Sequence, residues 1–371
     1  MLEHRDMLNG LTKKSSLQEK LINIHHSLSD RFPFVVRIAV AVYDHKTKVL
    51  KTFLHSSAEE NPLEHYQSLL DNAPSLKSIL KSAKPRVIND LLELEEITHE
   101  HTKKINAQGY RASYTLPIYN EGQFVGFLFF NADKKDVFNE EVLNELDLYA
   151  HIISLYVVNE FGAIETMNAA IKTTGNLSHI RDPETGKHLD RMSHYSRIIA
   201  KELADKYDLD DNYIEHIFMF APLHDIGKIG IPDSILLKPA ALNSDEMAVM
   251  QTHASIGSEM VSDLLQNFGL SSFEHVDVLH NIAMHHHEAV DGSGYPKGIK
   301  GNEIPLEARI IAVADVFDAL TSKRCYKEAW SNEEAIETLI KLADVTLDKD
   351  CVNALVKNIT DIEEVQIRFK E

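Results

Sequence analysis

The feature that most constrains this chain is a recurrence in its second half. Apolar stripes of helical spacing end, one after another, in histidine or aspartate. In Asn212 to Lys228 (NYIEHIFMFAPLHDIGK), Ile214, Ile217, Ala221 and His224 recur at spacings of three, four and three, with Asp225 beside them. Such spacing defines one helical face. Met250, His253, Gly257 and Met260 form a second stripe. Val276, Leu279, Ala283 and His286 form a third, with His287 next to it, and Ala308, Ile311 or Ala312, Asp315 and Ala319 a fourth. Asp182 and Pro183 suit an N-cap and a first helical residue. They put Glu184 and His188, four residues apart, on one face of a fifth helix.

A single inward histidine is an ordinary core residue satisfied by a neighbour. A buried, unpaired carboxylate is costly. Five helices that each turn an imidazole or an acid inward are best explained together, by convergence on metal ions. These donors suit iron, manganese, zinc and nickel. Eight candidate ligands, Glu184, His188, His224, Asp225, His253, His286, His287 and Asp315, exceed what one ion takes. Adjacent helical residues diverge by about 100°, and a carboxylate, unlike an imidazole, bridges two ions. Asp225 is therefore expected to span a pair, giving two or three divalent ions in all.

The chain has 371 residues, enough for two domains. Its first half mixes periods. Residues 15–29 read as a helix, and Phe34 to Tyr43 and Val49 to His55 as a hairpin around Asp44-His45-Lys46-Thr47. Residues 111–119 and 123–131 read as a second strand pair around Asn120-Glu121-Gly122. A helix is expected from Asn139 to Ile171. The expected class is α+β for residues 1–142, a connecting helix over 143–172, and an all-α domain over 173–371. That connecting helix either couples the two domains or serves as a spacer or the seam of a homodimer.

Charge narrows the partners. With 38 Lys and Arg against 57 Asp and Glu, the net charge is −19, which disfavours nucleic acid polymers and anionic membranes. A small anion needs only a few local cations and stays admissible. Two cysteines cannot build a disulfide framework, so a reducing cytoplasm is expected. No run of about 18 apolar residues occurs, and the start, MLEHRDMLNG, is too polar for a secretory signal.

The stretch YTLPIYNEGQFVGFLFFNADKKDVFNEEVLNELDLYA, Tyr114 to Ala150, resembles a GAF domain, whose last two strands and closing helix it would supply. The resemblance implies a sensor, with no ligand motif legible. His25, His26, His99 and His101 are expected to be solvated surface residues rather than haem or metal ligands.

The second half resembles the HD-GYP family. The motifs that carry this are RDPETGKHLDRMSHYSRIIA, LHDIGKIGIPDSILLKPAALNSDEMAVMQTHASIG and HHEAVDGSGYPKGIKGNEIPLEARIIAVADVFDALTSKRCYK, spanning Arg181 to Lys327. The resemblance implies metal-dependent hydrolysis of cyclic di-GMP to pGpG, GMP or both, with iron or manganese as cofactor. It assigns the eight residues above as metal ligands, Glu184 providing for a third ion. It implies that Asp225 holds the metal pair, and that Lys228 binds the phosphate under attack by an activated water. Arg324 and Lys327 would bind a second phosphate or a guanine edge, or form a solvated pair. The family's usual Arg-Pro-Tyr-Lys stands here as Arg324-Cys325-Tyr326-Lys327. Gly294-Tyr295-Pro296 lies in a loop, Asp291 to Gly301, with four glycines and one proline. Tyr295 has three open roles: stacking on a base, meeting a partner protein, or packing the loop. Asp318 and Glu288 are candidates for supporting the ligands. Two other readings stand beside the enzyme: a receptor for cyclic di-GMP, and a phosphohydrolase for another nucleotide.

Overall fold

The computed structural model describes residues 6, 8–13, 15–57, 63, 65–93, 108–177, 186–267, 275–322 and 329–370. The chain divides into two compact units, with the boundary between Gly162 and Ala163.

The first unit is α+β. Helix α1 spans Leu17–Ser29 and starts with a capping box: Glu19 N donates to Ser16 Oγ, and Ser16 N to Glu19 Oε2, each at 3.1 Å. Strands β1 (Val35–Asp44), β2 (Val49–Ser57) and β3 (Gln67–Leu69) follow. Helix α2 (Pro74–Ser82) and strands β4 (Arg86–Ile88), β5 (Ala112–Asn120) and β6 (Gln123–Ala132) come next. All pairings are antiparallel, in the order β3-β2-β1-β6-β5-β4. The β1–β2 turn closes because Asp44 Oδ1 accepts from Lys46 N at 2.8 Å. The β5–β6 turn places Glu121 and Gly122 at positive φ, as a two-residue hairpin turn requires.

The sheet's two faces follow from the strand period of two. Ile38, Val40 and Val42 join Leu128 and Phe130 in the main core, against Leu21, Ile24 and Leu28 of α1. Helix α3 (Glu140–Leu177) completes this core with Val142, Leu146, Ala150, Ile153 and Val157. Each fully buried side chain of this size contributes roughly 1.5–3 kcal/mol. The opposite face meets α2 through Phe127, Leu76 and Ile79. This is the sheet-and-helix arrangement expected for a GAF-like domain. The expectation for His25 fails, since the side chain is buried. Its Nε2 lies 3.0 Å from Val35 O and its Nδ1 2.7 Å from Ser56 Oγ. It pins α1 to the sheet, because the helix turns it inward beside Ile24. His26 is exposed; His99 and His101 lie outside the described residues.

The second unit is helical. It contains α4 (Gly186–Tyr207), α5 (Asp211–Phe220), α6 (Asp233–Leu236), α7 (Ser244–Gln251), α8 (His253–Asn267) and α9 (Val276–His285). Then come α10 (Leu306–Thr321), α11 (Asn332–Leu342), α12 (Lys349–Lys357) and α13 (Ile359–Arg368). No helix among the described residues is long and apolar enough to cross a membrane.

Candidate metal centre

The stretch read as one helix from Asn212 to Lys228 is in fact broken. α5 stops at Phe220, and a 3₁₀ turn (Ala221–Leu223) precedes His224 and Asp225; another (Ile226–Gly230) follows. Pro222 lacks the N–H that a helix would use. In a 3₁₀ turn residues i and i+3 eclipse, so Lys228 Nζ stands 2.7 Å from Asp225 Oδ2. Gly227 lets this turn lie against α8: a Cβ there would fall 1.9 Å from His253 O and 2.5 Å from Gly257 N. The second stripe is also interrupted, at Thr252, so His253 opens α8 instead of sitting mid-helix.

Seven of the eight candidate ligands come together, in two groups. Asp225, His253, His286 and His287 offer donor atoms within 4.8 Å of one another, as do His188, His224 and Asp315. Glu184, Asp182 and Pro183 lie outside the described residues, as do Arg324, Cys325, Tyr326 and Lys327. Asp225 stands between the groups. Its Oδ2 is 3.2 Å from His224 Nε2, while its Oδ1 is 3.2 Å from His253 Nε2 and 3.6 Å from His286 Nε2.

The histidine tautomers follow from their other nitrogens. Nδ1 of His224, His253 and His286 lies 2.8, 2.8 and 2.9 Å from the carbonyls of Ala221, Met250 and Ile282. A carbonyl only accepts, so each Nδ1 carries a hydrogen, and each ring turns its Nε2 toward Asp225. His253 Nε2 and His286 Nε2 face each other at 3.4 Å, an approach of two donor nitrogens that suits a shared cation. Burial and the neighbouring His286 hold His287 neutral, with its pKa pushed down to about 2; burial likewise lowers His286. Burial opposes charge on Asp225, but Lys228 and His224 outweigh it and keep the carboxyl well below its usual range. Neutral rings at His286 and His287 beside an ionised Asp225 are the protonation states that metal binding requires. The residues present therefore fit transition-metal ions.

His188 is oriented differently. Its Nδ1 lies 2.8 Å from Asp318 Oδ2, and Arg191 clamps the same carboxylate, Nε to Oδ1 at 2.6 Å and Nη2 to Oδ2 at 3.0 Å. Arg191 also donates to Ser322 Oγ at 2.9 Å and to Phe369 O at 3.0 Å.

Residues 180–351 match the model of the HD domain family. The match falls within the helical second half of the chain. The chain is 40% identical over 242 residues to a probable cyclic di-GMP phosphodiesterase of Vibrio cholerae serotype O1, covering 63% of this chain and 53% of that protein. It is 46% identical over 189 residues to the cyclic di-GMP phosphodiesterase response regulator RpfG of Xanthomonas campestris pv. campestris, covering 51% and 47%. A 3′3′-cGAMP-specific phosphodiesterase 2 of Vibrio cholerae is 37% identical over 228 residues, covering 58% and 42%. The chain spans about half the length of these curated relatives.

In the matched region the Gly294-Tyr295-Pro296 loop folds back onto the histidines. Tyr295 N donates to His287 O at 3.1 Å, and the Tyr295 ring stacks on His287, centroids 4.8 Å apart and planes 29° apart. Glu288 fastens the loop by accepting from Lys297 N at 2.8 Å. Of the three roles left open for Tyr295, packing the loop is the one with a contact behind it. The sequence reading passed over Arg191. His188, Arg191, Met192 and Tyr195 are all buried on α4, at spacings of three, four and seven from His188. The stripe logic applied to cations would have found it. Phe369 O left no signal, because any residue supplies a carbonyl.

Proposed function

We propose that this chain is a cytoplasmic metal-dependent phosphodiesterase for cyclic di-GMP, with the GAF-like domain as its sensor and iron or manganese as its metal. One observation carries the reading: two ligand groups joined by a single carboxylate, Asp225, whose two oxygens face opposite groups. The relatives' names supply the substrate. When bound, the ions supply Lewis-acid activation of phosphate and of water. Asp225 fixes the spacing of the two groups. Lys228 Nζ, beside Asp225 Oδ2, offers its charge to the phosphate oxygen that gains negative charge as water attacks. The water oxygen bonds to phosphorus, the bond to the 3′ oxygen breaks, and that oxygen leaves with a proton, giving linear pGpG. A second turnover on the remaining diester gives two GMP. Arg324 and Lys327 are proposed to hold the far end of the dinucleotide. The presence of all eight candidate ligands in the sequence favours turnover over a receptor role.

The similarity to a 3′3′-cGAMP-specific enzyme supports a second substrate, because the metal ligands act on phosphate and not on the base. The test is metal analysis of anaerobically purified protein beside assays with cyclic di-GMP, 3′3′-cGAMP and nucleoside triphosphates. Two or more ions per chain with cyclic di-GMP turnover is expected. Faster cGAMP hydrolysis would move the substrate assignment. Binding without product in metal-replete protein would overturn the enzyme reading.

A further inference from the structure

The end of α13 reaches the metal centre without supplying a ligand to it. Phe369, which follows α13, is 4% exposed, and its N–H closes the helix on Val365 O at 2.9 Å. The last carbonyls of a helix have no partner within it and carry the negative end of its dipole. Phe369 O turns that end onto Arg191, accepting from Nη1 at 3.0 Å. A buried cation and the end of a helix thus satisfy each other.

The Phe369 side chain fixes the same place. Its ring stacks on His194, with centroids 4.9 Å apart and planes 19° apart, and Lys187 Nζ lies 6.0 Å from its centroid. Lys187, Arg191 and His194 follow one another at spacings of four and three, so they share one face of α4. Phe369 covers that face. Arg191 is therefore held from both sides. Inward, its Nε and Nη2 take the two oxygens of Asp318, whose Oδ2 lies 2.8 Å from His188 Nδ1. Outward, its Nη1 takes Phe369 O.

The rigidity of the guanidinium links the two sides. It is a planar fork, so turning Nη1 away from Phe369 tilts Nε and Nη2 off Asp318. Asp318 is 1% exposed, and a buried carboxylate needs its cation in place. Asp318 in turn sets the tautomer and ring angle of His188.

We propose that Phe369 is a positioning residue for the metal centre: its carbonyl and ring hold Arg191 in the orientation that fixes Asp318 and, through it, His188. The proposal rests on the reading of His188 as a metal ligand. It makes the end of α13 part of what sets metal affinity in the group of His188, His224 and Asp315, and leaves the group around His253 untouched.

The experiment compares the native chain with a chain ending at Arg368, and with Phe369→Ala, Phe369→Tyr and Ile362→Ala. Ile362 is fully buried on the same helix, so its truncation reports lost packing. Manganese titration of chelated protein reads the affinity of each ion. Spectra of the chelated protein labelled with ¹⁵N-histidine follow Nδ1–H of His188, identified by its loss in His188→Asn. One ion is expected to bind about tenfold more weakly in the shortened chain, and to a smaller extent in Phe369→Ala, with the other ion unaffected. Phe369→Tyr and Ile362→Ala are expected to keep native affinity. The His188 resonance should move in the same two variants as the affinity does. If the shortened chain does not fold, Phe369→Ala carries the test, since it keeps the backbone and removes only the ring. Native affinity with an unmoved His188 resonance in the folded variants would overturn the proposal. So would an equal loss in Ile362→Ala. A native chain that takes up no manganese would overturn the metal reading instead, and the His188 resonance would still test the link to Phe369.

Discussion

Asp318 lies one step back from the donor groups and decides what His188 can do. It accepts from Nδ1 and is itself held by Arg191, so Nε2 is left to face His224 and Asp315. Asp318→Asn keeps the shape but can offer an N–H where a carboxylate oxygen stood. Metal affinity or activity is expected to fall about 10–100-fold, with the group around His253 still loaded; unchanged metal content and rate would refute the orienting role. Lys228→Ala tests a different quantity. It removes charge at the phosphate and no ligand, so kcat/KM should fall about 10²-fold with metal content unchanged. His216 is a buried histidine outside both donor groups. It is fully buried on α5, and its Nδ1 donates to Asn212 O at 2.8 Å. Burial pushes its pKa down from 6.5 to about 3. The unfolded chain takes up this proton first, so its contribution is complete above pH 6.5 and shrinks as pH falls toward 3. The slope is about 1.4 kcal/mol per pH unit below pH 6. Denaturant melts of His216→Leu should lose that slope; a curve parallel to the native one would contradict the assignment.

At the scale of elements, the centre depends on one close approach. The turn bearing His224 and Asp225 lies on α8 because position 227 has no side chain. Gly227→Ala changes no ligand, yet must push the turn away from His253. Loss of metal, with destabilisation of about 1–3 kcal/mol, is expected from elemental analysis and melting. Full metal occupancy would show that the approach is not required. The sequence reading located the strands β1, β2, β5 and β6 and the helices α1, α3, α9 and α10, because each has a clean period and a turn or cap at its end. It missed β3 and β4, which are three residues long each and too short to show a period. It also ran one helix through Pro222, because the apolar spacing persists across the break.

At the scale of the molecule, α3 leaves apolar surface uncovered. Its inward residues fill the first unit's core, while Leu148 and Leu155, seven residues apart, are 66% and 69% exposed. A seven-residue repeat of leucine suits a helix–helix seam, and supports the proposal of a homodimer along α3. Light scattering should report a dimer for the native chain and a monomer for Leu148→Ser/Leu155→Ser with unchanged circular dichroism. A native monomer at tens of micromolar would end that proposal.

The sequence by itself determined the two-part architecture and the candidate donor residues. Hydrophobic period sets which face a residue takes, and an acid on an inward face demands a compensating charge. Tertiary structure alone decided the grouping of the ligands, the two-sided placement of Asp225 and the Arg191–Asp318–His188 chain. Each of these joins residues tens to hundreds of positions apart, and local spacing carries no information about which distant side chains a fold will bring within a few ångströms.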